Sequence, residues 1–342
     1  MTLPRSIAYR LAAGLLAASI PLAPTLAVAA GASQPGFEFA VLSHSFKAGT
    51  DDAPLKKAIA GVSAFNASFV VATGIKSAGE ACSDKLYSQR KDLLDASTPP
   101  LIVSLSASDW AGCRNSRGRG NAIERLNRLR DVYFADNQSL GQRKLTVSRL
   151  SSTAKFRSYA ENAHWEVGGV LFATVNLPAN NNHFLPEAGR NSEFEDRLVA
   201  NRAWLQRLFA IAQGKKLDGI VLFSDGDVGV LDEEESSLLP SFSSKQDGFA
   251  GPRKQIRLLA KKFGGKVLLV DTQGEKQGEQ PGEKPARGKL AIPRGETPVI
   301  HWKGNMGHVS IASDWAAIAV RTGKTPLFEV RERASRPSLP KH

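Results

Sequence analysis

A few acidic, amide and imidazole side chains in this sequence could do chemistry as a group. His44 follows the apolar run Phe39–Leu42, and Asp109 comes shortly after the apolar run Leu101–Val103. Asp225 and Asp227 follow the apolar run 220–223, and Asp271 follows the run 266–270. Asn181 lies within the polar segment Asn180-Asn-Asn182. Carboxylates and imidazoles bind divalent cations, and either group can act as a general base. Each residue also has a plainer interpretation as a polar loop residue, a solvated carboxylate or an asparagine turn.

The elements that must position these side chains alternate between strands and helices. Strand-like apolar runs lie at 37–42, 69–73, 101–105, 220–223 and 266–270. Segments with helical spacing lie at 53–65, 83–96, 121–133, 194–213 and 253–262. Gly168 and Gly169 separate two further strand-like runs and predict a hairpin, and residues 317–321 and 327–331 predict a terminal β pair. The alternation predicts βαβ units around a buried sheet.

Residues 1–30 have the pattern of an export signal. Arg5 and Arg10 precede a short apolar core, and small residues offer cleavage after Ala29 or Ala30. An uncleaved anchor is the alternative. No later stretch approaches about 18 consecutive apolar residues, so the sequence predicts a mature chain without a transmembrane span. We therefore expect a periplasmic or secreted protein.

The rest of the chain predicts one domain over residues 36–330. Within it, residues 273–298 are rich in Gly, Lys, Glu and Pro and indicate a solvated low-complexity loop, and residues 331–342 indicate a tail. The formal net charge is +12, and +10 without Arg5 and Arg10. This balance favours anionic partners such as nucleic acid, phosphorylated molecules or lipid headgroups, and a generally basic secreted protein is the alternative. We expect an anionic small molecule or an envelope protein as partner. The densest basic stretch, Arg114–Arg119, has no interleaved aromatic residues, so we find no specific nucleic-acid signal.

The chain has two cysteines, Cys82 and Cys113. In an oxidising compartment, two cysteines are most simply one disulfide, and two free buried thiols are the alternative. Other chemistries lack their motifs, since the sequence has no Gly-x-Ser-x-Gly elbow, no Walker-type phosphate loop and no Cys-x-x-Cys pair.

Several short segments occur in an order and at spacings that together carry a resemblance. They are Ile75-Lys-Ser77, Cys82-Ser-Asp84, Tyr87 with Arg90, Trp110 with Cys113, Glu124-Arg-Leu126, Ser139-Leu-Gly141, Glu161-Asn162, Asn180-Asn-Asn182, and Arg197 with Asn201 and Trp204. Taken together, they resemble the secreted bacterial branch of the calcineurin-like metallophosphoesterases. The resemblance implies a single-domain α/β fold, a four-layer α/β/β/α sandwich. It also implies two metal ions at the carboxyl ends of the strands, which clamp phosphoryl oxygens and generate a hydroxide nucleophile.

The metal-ligand positions of that family are mostly replaced in this sequence. Where the family has an Asp, Gly-Asp, Asn and His-Gly-Asp-x-His after successive strands, this chain has Ser43-His44-Ser45, Gly74-Ile75, Ser106–Trp110 and Asp271–Gly274. Serine hydroxyls are poor ligands for divalent cations because they are neutral. Losses of outer-shell residues in metal sites already cost about 10–100-fold in affinity or activity, so the loss of several direct ligands should abolish a two-metal centre.

These replacements predict an impaired or inactive phosphoesterase-fold protein, a pseudoenzyme, with a residual cleft. The cleft would contain His44, Asp109, Asn181 and Asp271, and no cofactor is assigned to it. The alternative is an active phosphoesterase whose remodelled site binds a divalent metal through His44, Asp225, Asp227 or Asp271. A purely structural envelope protein is a third interpretation.

Overall fold

The structure is a computed structural model that describes residues 36–43, 45–46, 49, 51–186, 191–232, 246–272 and 298–331. It is a mixed α/β protein with two mixed sheets and six α-helices among these residues. The strands are β1 Phe37–Leu42, β2 Val70–Thr73, β3 Leu101–Ser104, β4 Ser148–Arg149, β5 Ala163–Val167, β6 Val170–Thr174, β7 Gly219–Phe223, β8 Lys266–Asp271, β9 His301–Lys303, β10 Met306–Ser310, β11 Trp315–Val320 and β12 Phe328–Arg331. The helices are α1 Ala53–Phe65, α2 Asp84–Asp95, α3 Ala107–Trp110, α4 Ala122–Tyr133, α5 Ser192–Gly214 and α6 Ala250–Lys262.

The first sheet has the strand order β12-β11-β1-β2-β3. Strands β1, β2 and β3 are parallel, and β11 and β12 add an antiparallel edge beside β1. The second sheet has the order β4-β5-β6-β7-β8-β10-β9, in which β6, β7, β8 and β10 are parallel. The predicted hairpin and the predicted terminal pair are confirmed as β5–β6 and β11–β12.

The central strands are buried on both faces, which is why they are near-continuous apolar runs. One apolar cluster joins residues of both sheets, among them Phe39, Phe69, Phe172 and Phe223. The rings of Phe69 and Phe172 meet edge to face, with centroids 4.8 Å apart. A second cluster joins the first sheet to α1, α2 and α4, and a third joins the second sheet to α5 and α6.

A disulfide joins Cys82, just before α2, to Cys113, just after α3, with 5.8 Å between the Cα atoms. The predicted pairing is therefore confirmed, and no cysteine is free. In the described part of the chain, no helix has both the length and the apolar character needed to cross a membrane. The predicted export signal, the low-complexity loop up to residue 297 and the tail from residue 332 lie outside the described residues.

Candidate functional site

Parallel strands of both sheets end at one region of the molecule. In the first sheet, β1 is followed by Ser43, β2 by Gly74 and β3 by Leu105-Ser106. In the second sheet, β7 is followed by Ser224-Asp225 and β8 ends at Asp271. The two sets of strand ends meet directly, because the Asp225 carboxylate accepts the backbone N–H of Ala107 at the start of α3 (2.7 Å).

Asp109 has its carboxylate fully enclosed at the end of the first sheet. Its Oδ1 accepts the backbone N–H groups of Ile75 (2.9 Å) and Lys76 (3.3 Å), and its Oδ2 accepts that of Ser106 (2.7 Å). Burial raises the pKa of Asp109 to about 6, while these hydrogen bonds act in the opposite direction. The carboxylate thus holds together the loops that follow β2 and β3.

Gly74 and Lys76 complete this part of the site. Gly74 has φ +79°, and a Cβ there would lie 2.6 Å from the Ser106 hydroxyl, so the position requires glycine. The ammonium of Lys76 donates to the backbone carbonyls of Ser77 (2.8 Å) and Ser108 (2.7 Å). Burial lowers the pKa of Lys76, and the nearby charge of Asp109 opposes that shift. We call Gly74, Ile75, Lys76, Ser106 and Asp109 the first-sheet edge.

Asp225 connects the two halves of the strand-end region. One oxygen, Oδ2, accepts the N–H of Ala107 and also that of Ala179 (2.8 Å), which lies in the loop after β6. Burial raises the pKa of Asp225 to about 7, and the charges of Asp109 and Asp271 add to the shift. The carboxylate therefore connects the segment after β3 of the first sheet with the loop after β6 of the second sheet.

A second group of side chains lies at the ends of β7, β8 and β10. Ligand atoms of Asp227, Asp271 and His308 all lie within 4.8 Å of one another. His308 Nε2 is 2.5 Å from Asp271 Oδ2 and 3.7 Å from Asp227 Oδ1, and the Ser310 hydroxyl donates to Asp271 Oδ1 (2.5 Å). We call Asp227, Asp271, His308 and Ser310 the second-sheet cluster.

The strand register explains how this cluster forms. Ser310 of β10 pairs with Asp271 of β8, and His308 lies two residues before Ser310, so its side chain points to the same face. Burial raises the pKa of Asp271, although the hydrogen bond and charge of His308 act against the shift. Two carboxylates and an imidazole form a donor set suited to Mn²⁺, Fe²⁺ or Zn²⁺.

The sequence does not indicate His308 as a metal ligand, because its spacing of seven residues from His301 does not fit a helical metal pair and favours a loop or strand-edge role. His308 is the middle residue of β10, Met306–Ser310. Gly307 and Val309 are buried in this strand and the other three residues are half-buried, which gives only a weak signal of period 2. Its partner Asp271 lies 37 residues earlier in the chain. No local pattern in the sequence indicates that pairing.

Asn181 lies in a turn that contacts the start of α6. Asn181, Asn182 and His183 all have positive φ, between 53° and 54°. Asn181 accepts the N–H of Gly248 (2.8 Å) and donates to the carbonyl of Gln246 (3.0 Å). This side chain is thus engaged with the segment that leads into α6.

His44 lies outside the described residues, but the serines on either side of it are buried. The hydroxyl of Ser43 donates to the carbonyl of Ser313 (2.6 Å), and that of Ser45 donates to the carbonyls of Ser43 (2.7 Å) and Asp314 (3.1 Å). Both hydroxyls therefore serve the connection between β1 and the segment before β11.

The strand-end region thus contains two kinds of carboxylate. Asp109 and Asp225 accept backbone N–H groups, whereas Asp271 is held by the side chains of His308 and Ser310. Among the described residues, Asp271 belongs to a set of converging metal ligands with Asp227 and His308. Asp227 combines both kinds of contact, because its Oδ1 also accepts the backbone N–H of Gly229 (2.7 Å). No protein-family model matches the chain, and no curated protein matches it.

Proposed function

We propose that this chain is an exported protein of the metallophosphoesterase fold that has lost its two-metal centre and phosphoesterase activity. Its strand-end region then serves as a binding surface for an anionic ligand or a protein partner. The observation that carries the proposal is the state of Asp109, whose two carboxylate oxygens accept three backbone N–H groups. A carboxylate held in this way supports loops rather than a metal ion.

The arrangement of the apolar clusters supports the fold part of this proposal. One cluster lies between residues of the two sheets, and the other two join each sheet to its own helices. These clusters support the order helix, sheet, sheet, helix of the proposed four-layer α/β/β/α sandwich.

Electrostatics support the loss of the two-metal centre. Two divalent cations a few ångströms apart repel each other strongly unless several carboxylates surround them. The first-sheet edge instead presents the buried ammonium of Lys76 close to Asp109. A positive charge at this position disfavours a divalent cation beside Asp109, and the serines after β1 and β3 add no negative charge.

Metal content and turnover test the proposal together. The purified protein is dialysed against trace Mn²⁺, Fe²⁺, Zn²⁺ and Ca²⁺, its metal content is measured by plasma mass spectrometry, and hydrolysis of phosphate monoesters and diesters is assayed. We expect no turnover and fewer than two ions per chain. Two bound ions with metal-dependent turnover would reject the proposal.

A second candidate function is a phosphoesterase that uses one cation at the second-sheet cluster. The convergence of Asp227, Asp271 and His308 within 4.8 Å favours it. A cation there could polarise a phosphoryl oxygen and activate a water molecule. One ion per chain with turnover that disappears in Asp271→Asn and His308→Gln would establish this function. One ion without turnover would leave the cluster a structural cation site.

Ligand-dependent stabilisation separates a binding protein from a purely structural envelope protein. A ligand that binds only the folded state raises the melting temperature as its concentration exceeds the dissociation constant. We expect such a rise with at least one compound in a panel of phosphorylated molecules. No rise across the panel, together with no captured envelope protein, would favour the structural interpretation.

A further inference from the structure

The arginine-rich segment after the disulfide forms a small hairpin closed by backbone and side-chain hydrogen bonds. Arg114 forms a β-bridge with Gly120, and the backbone N–H of Asn115 donates to the carbonyl of Arg119 (2.8 Å). The Asn115 side-chain oxygen accepts the N–H groups of Arg117 (3.0 Å) and Arg119 (3.1 Å). We call residues 114–120 the arginine hairpin.

Two further contacts fix the base of the arginine hairpin to the fold. Cys113 is bonded to Cys82, and the carbonyl of Cys113 accepts the N–H of Asn121 (3.0 Å), the residue before α4. The hairpin is therefore anchored to the segments before α2 and α4. Because its backbone is held from both ends, little conformational entropy is lost when its side chains bind a partner.

The charges of the arginine hairpin are not neutralised by its neighbours. Arg114, Arg117 and Arg119 are exposed, and none of them forms an ion pair with a described residue. The nearest acidic residues on the adjoining helices are already paired, since Asp84 contacts Arg125 and Arg128, and Glu124 contacts Arg125. Positive charge is thus concentrated on the arginine hairpin, whereas the acidic and basic residues at the starts of α2 and α4 balance each other.

An exposed apolar side chain lies three residues after the arginine hairpin in the chain. Ile123, in the first turn of α4, is 53% exposed. It follows Asn121, which is bonded to the hairpin base. Basic side chains beside an exposed aliphatic residue are typical of surfaces that attach to anionic membranes, where arginines contact headgroup phosphates and the apolar group enters the interface.

We propose that the arginine hairpin and Ile123 attach this protein to an anionic phospholipid surface. Guanidinium groups match phosphate oxygens with paired hydrogen bonds, and the overall positive charge of the chain favours approach to such a surface. This attachment is independent of any metal or phosphoesterase chemistry at the strand ends. It would hold the protein at a membrane without a transmembrane span.

Co-sedimentation with vesicles tests the proposal. The purified protein is mixed with vesicles of phosphatidylcholine alone or with half phosphatidylglycerol, in low and high salt. We expect binding only to the anionic vesicles, weakened by salt. The double variant Arg117→Gln/Arg119→Gln should bind at least about tenfold more weakly, because each basic residue near an anionic surface contributes substantially. Ile123→Ser should weaken binding by a smaller factor.

The matched control removes the same charge elsewhere. Lys254 and Lys261 are exposed residues of α6, so Lys254→Gln/Lys261→Gln loses two positive charges without touching the hairpin. We expect nearly unchanged binding, and both double variants should keep the wild-type melting temperature. An equal loss in the two double variants would show that only net charge matters and would overturn the assignment.

Two competitors identify the source of the phosphate. Millimolar inorganic phosphate should displace the protein no better than chloride of equal ionic strength, because the surface recognises an array of headgroups. Displacement by phosphate alone would point to a small-molecule anion site. Tight binding of a single-stranded oligonucleotide through Arg117 and Arg119, without vesicle binding, would replace the membrane by nucleic acid. Each of these two results contradicts the proposal.

Discussion

The first-sheet edge and the second-sheet cluster lie at the same end of the molecule but hold their carboxylates in different ways. Asp109 accepts hydrogen bonds from three backbone N–H groups. Asp271 is hydrogen-bonded to the side chains of His308 and Ser310. Backbone donors are fixed by the strands and loops that carry them, whereas side chains can rotate away.

If the two-metal centre has been lost as proposed, this difference indicates which carboxylates remain available for chemistry. A carboxylate with backbone donors has become part of the scaffold, so removing it leaves buried N–H groups without acceptors. A carboxylate with side-chain partners can exchange them for a cation at a smaller structural cost. The type of hydrogen-bond partner, rather than acidity or burial, distinguishes Asp109 from Asp271, since both residues are buried.

The largest expected effect comes from removing Asp109. Asp109→Ala leaves the N–H groups of Ile75, Lys76 and Ser106 unsatisfied, and it should lower the free energy of unfolding by about 3–6 kcal/mol. Asp271→Ala should cost roughly 1–3 kcal/mol, because His308 and Ser310 can turn toward water. Urea unfolding followed by circular dichroism measures both free energies. Equal losses in the two variants would contradict the distinction between Asp109 and Asp271.

Much of the scaffold could be predicted from the sequence, because its signals are local. The run Phe37–Leu42 and the Gly168-Gly169 turn indicate β1 and the β5–β6 hairpin, and both are present. Export and the identity of the family stay predictions, as does phosphoesterase chemistry. The sequence did not indicate β4, β9 or β10, because these strands have two to five residues and little apolar periodicity.

The candidate site was harder to predict for a related reason. Asp271 could be identified because it ends an apolar run, but its partner His308 comes from a strand that no local pattern indicates. Asp109 and Asp227 look alike in sequence, each as an acidic residue shortly after an apolar run. Their different partners depend on which backbone N–H groups the folded loops present, and that is a tertiary property.

The pH dependence of stability is the next largest effect, and it tests Asp225. Burial raises the pKa of Asp225 from 3.8 to about 7, so the folded state binds more protons than the unfolded state between these values. The free energy of unfolding should therefore fall as pH rises through this window, by about 4 kcal/mol from this group, because each pKa unit corresponds to about 1.4 kcal/mol. Asp225→Asn should flatten that part of the profile, measured by urea unfolding at several pH values.

This result would also sharpen the comparison. Asp225 follows a strand of the second sheet but accepts backbone N–H groups from Ala107 and Ala179. If the type of hydrogen-bond partner decides how much a carboxylate stabilises the fold, Asp225 should behave like Asp109. Asp225→Ala should then lower the free energy of unfolding more than Asp271→Ala. The assignment would be contradicted if the free energy of unfolding of the wild type rose with pH in this window, or if Asp225→Asn had the same pH profile as the wild type.

A smaller effect is expected from Gly74, which tests how tightly the first-sheet edge is packed. Gly74→Ala places a Cβ 2.6 Å from the Ser106 hydroxyl at φ +79°, and it should cost about 2–3 kcal/mol. Gly118→Ala is the matched control, since Gly118 has φ +75° but no atom within 4 Å of the added Cβ. It should cost about 1–2 kcal/mol from the backbone conformation alone. Equal melting temperatures in the two variants would mean that the Ser106 loop yields easily.

The smallest expected effect comes from Ser310, and it isolates one side-chain partner of Asp271. Ser310→Ala removes the hydroxyl that donates to Asp271 Oδ1 (2.5 Å), and it should lower the free energy of unfolding by about 0.5–1.5 kcal/mol. Ser310→Thr keeps a hydroxyl in a strand that tolerates β-branching, so it should remain close to wild type. Because the hydroxyl stabilises the ionised carboxylate, its loss should also raise the pKa of Asp271 further, visible as a shift in the carboxyl ¹³C titration. A loss in Ser310→Ala as large as that in Asp109→Ala would show that the second-sheet cluster is as rigid as the first-sheet edge, and its side chains could not then make way for a cation.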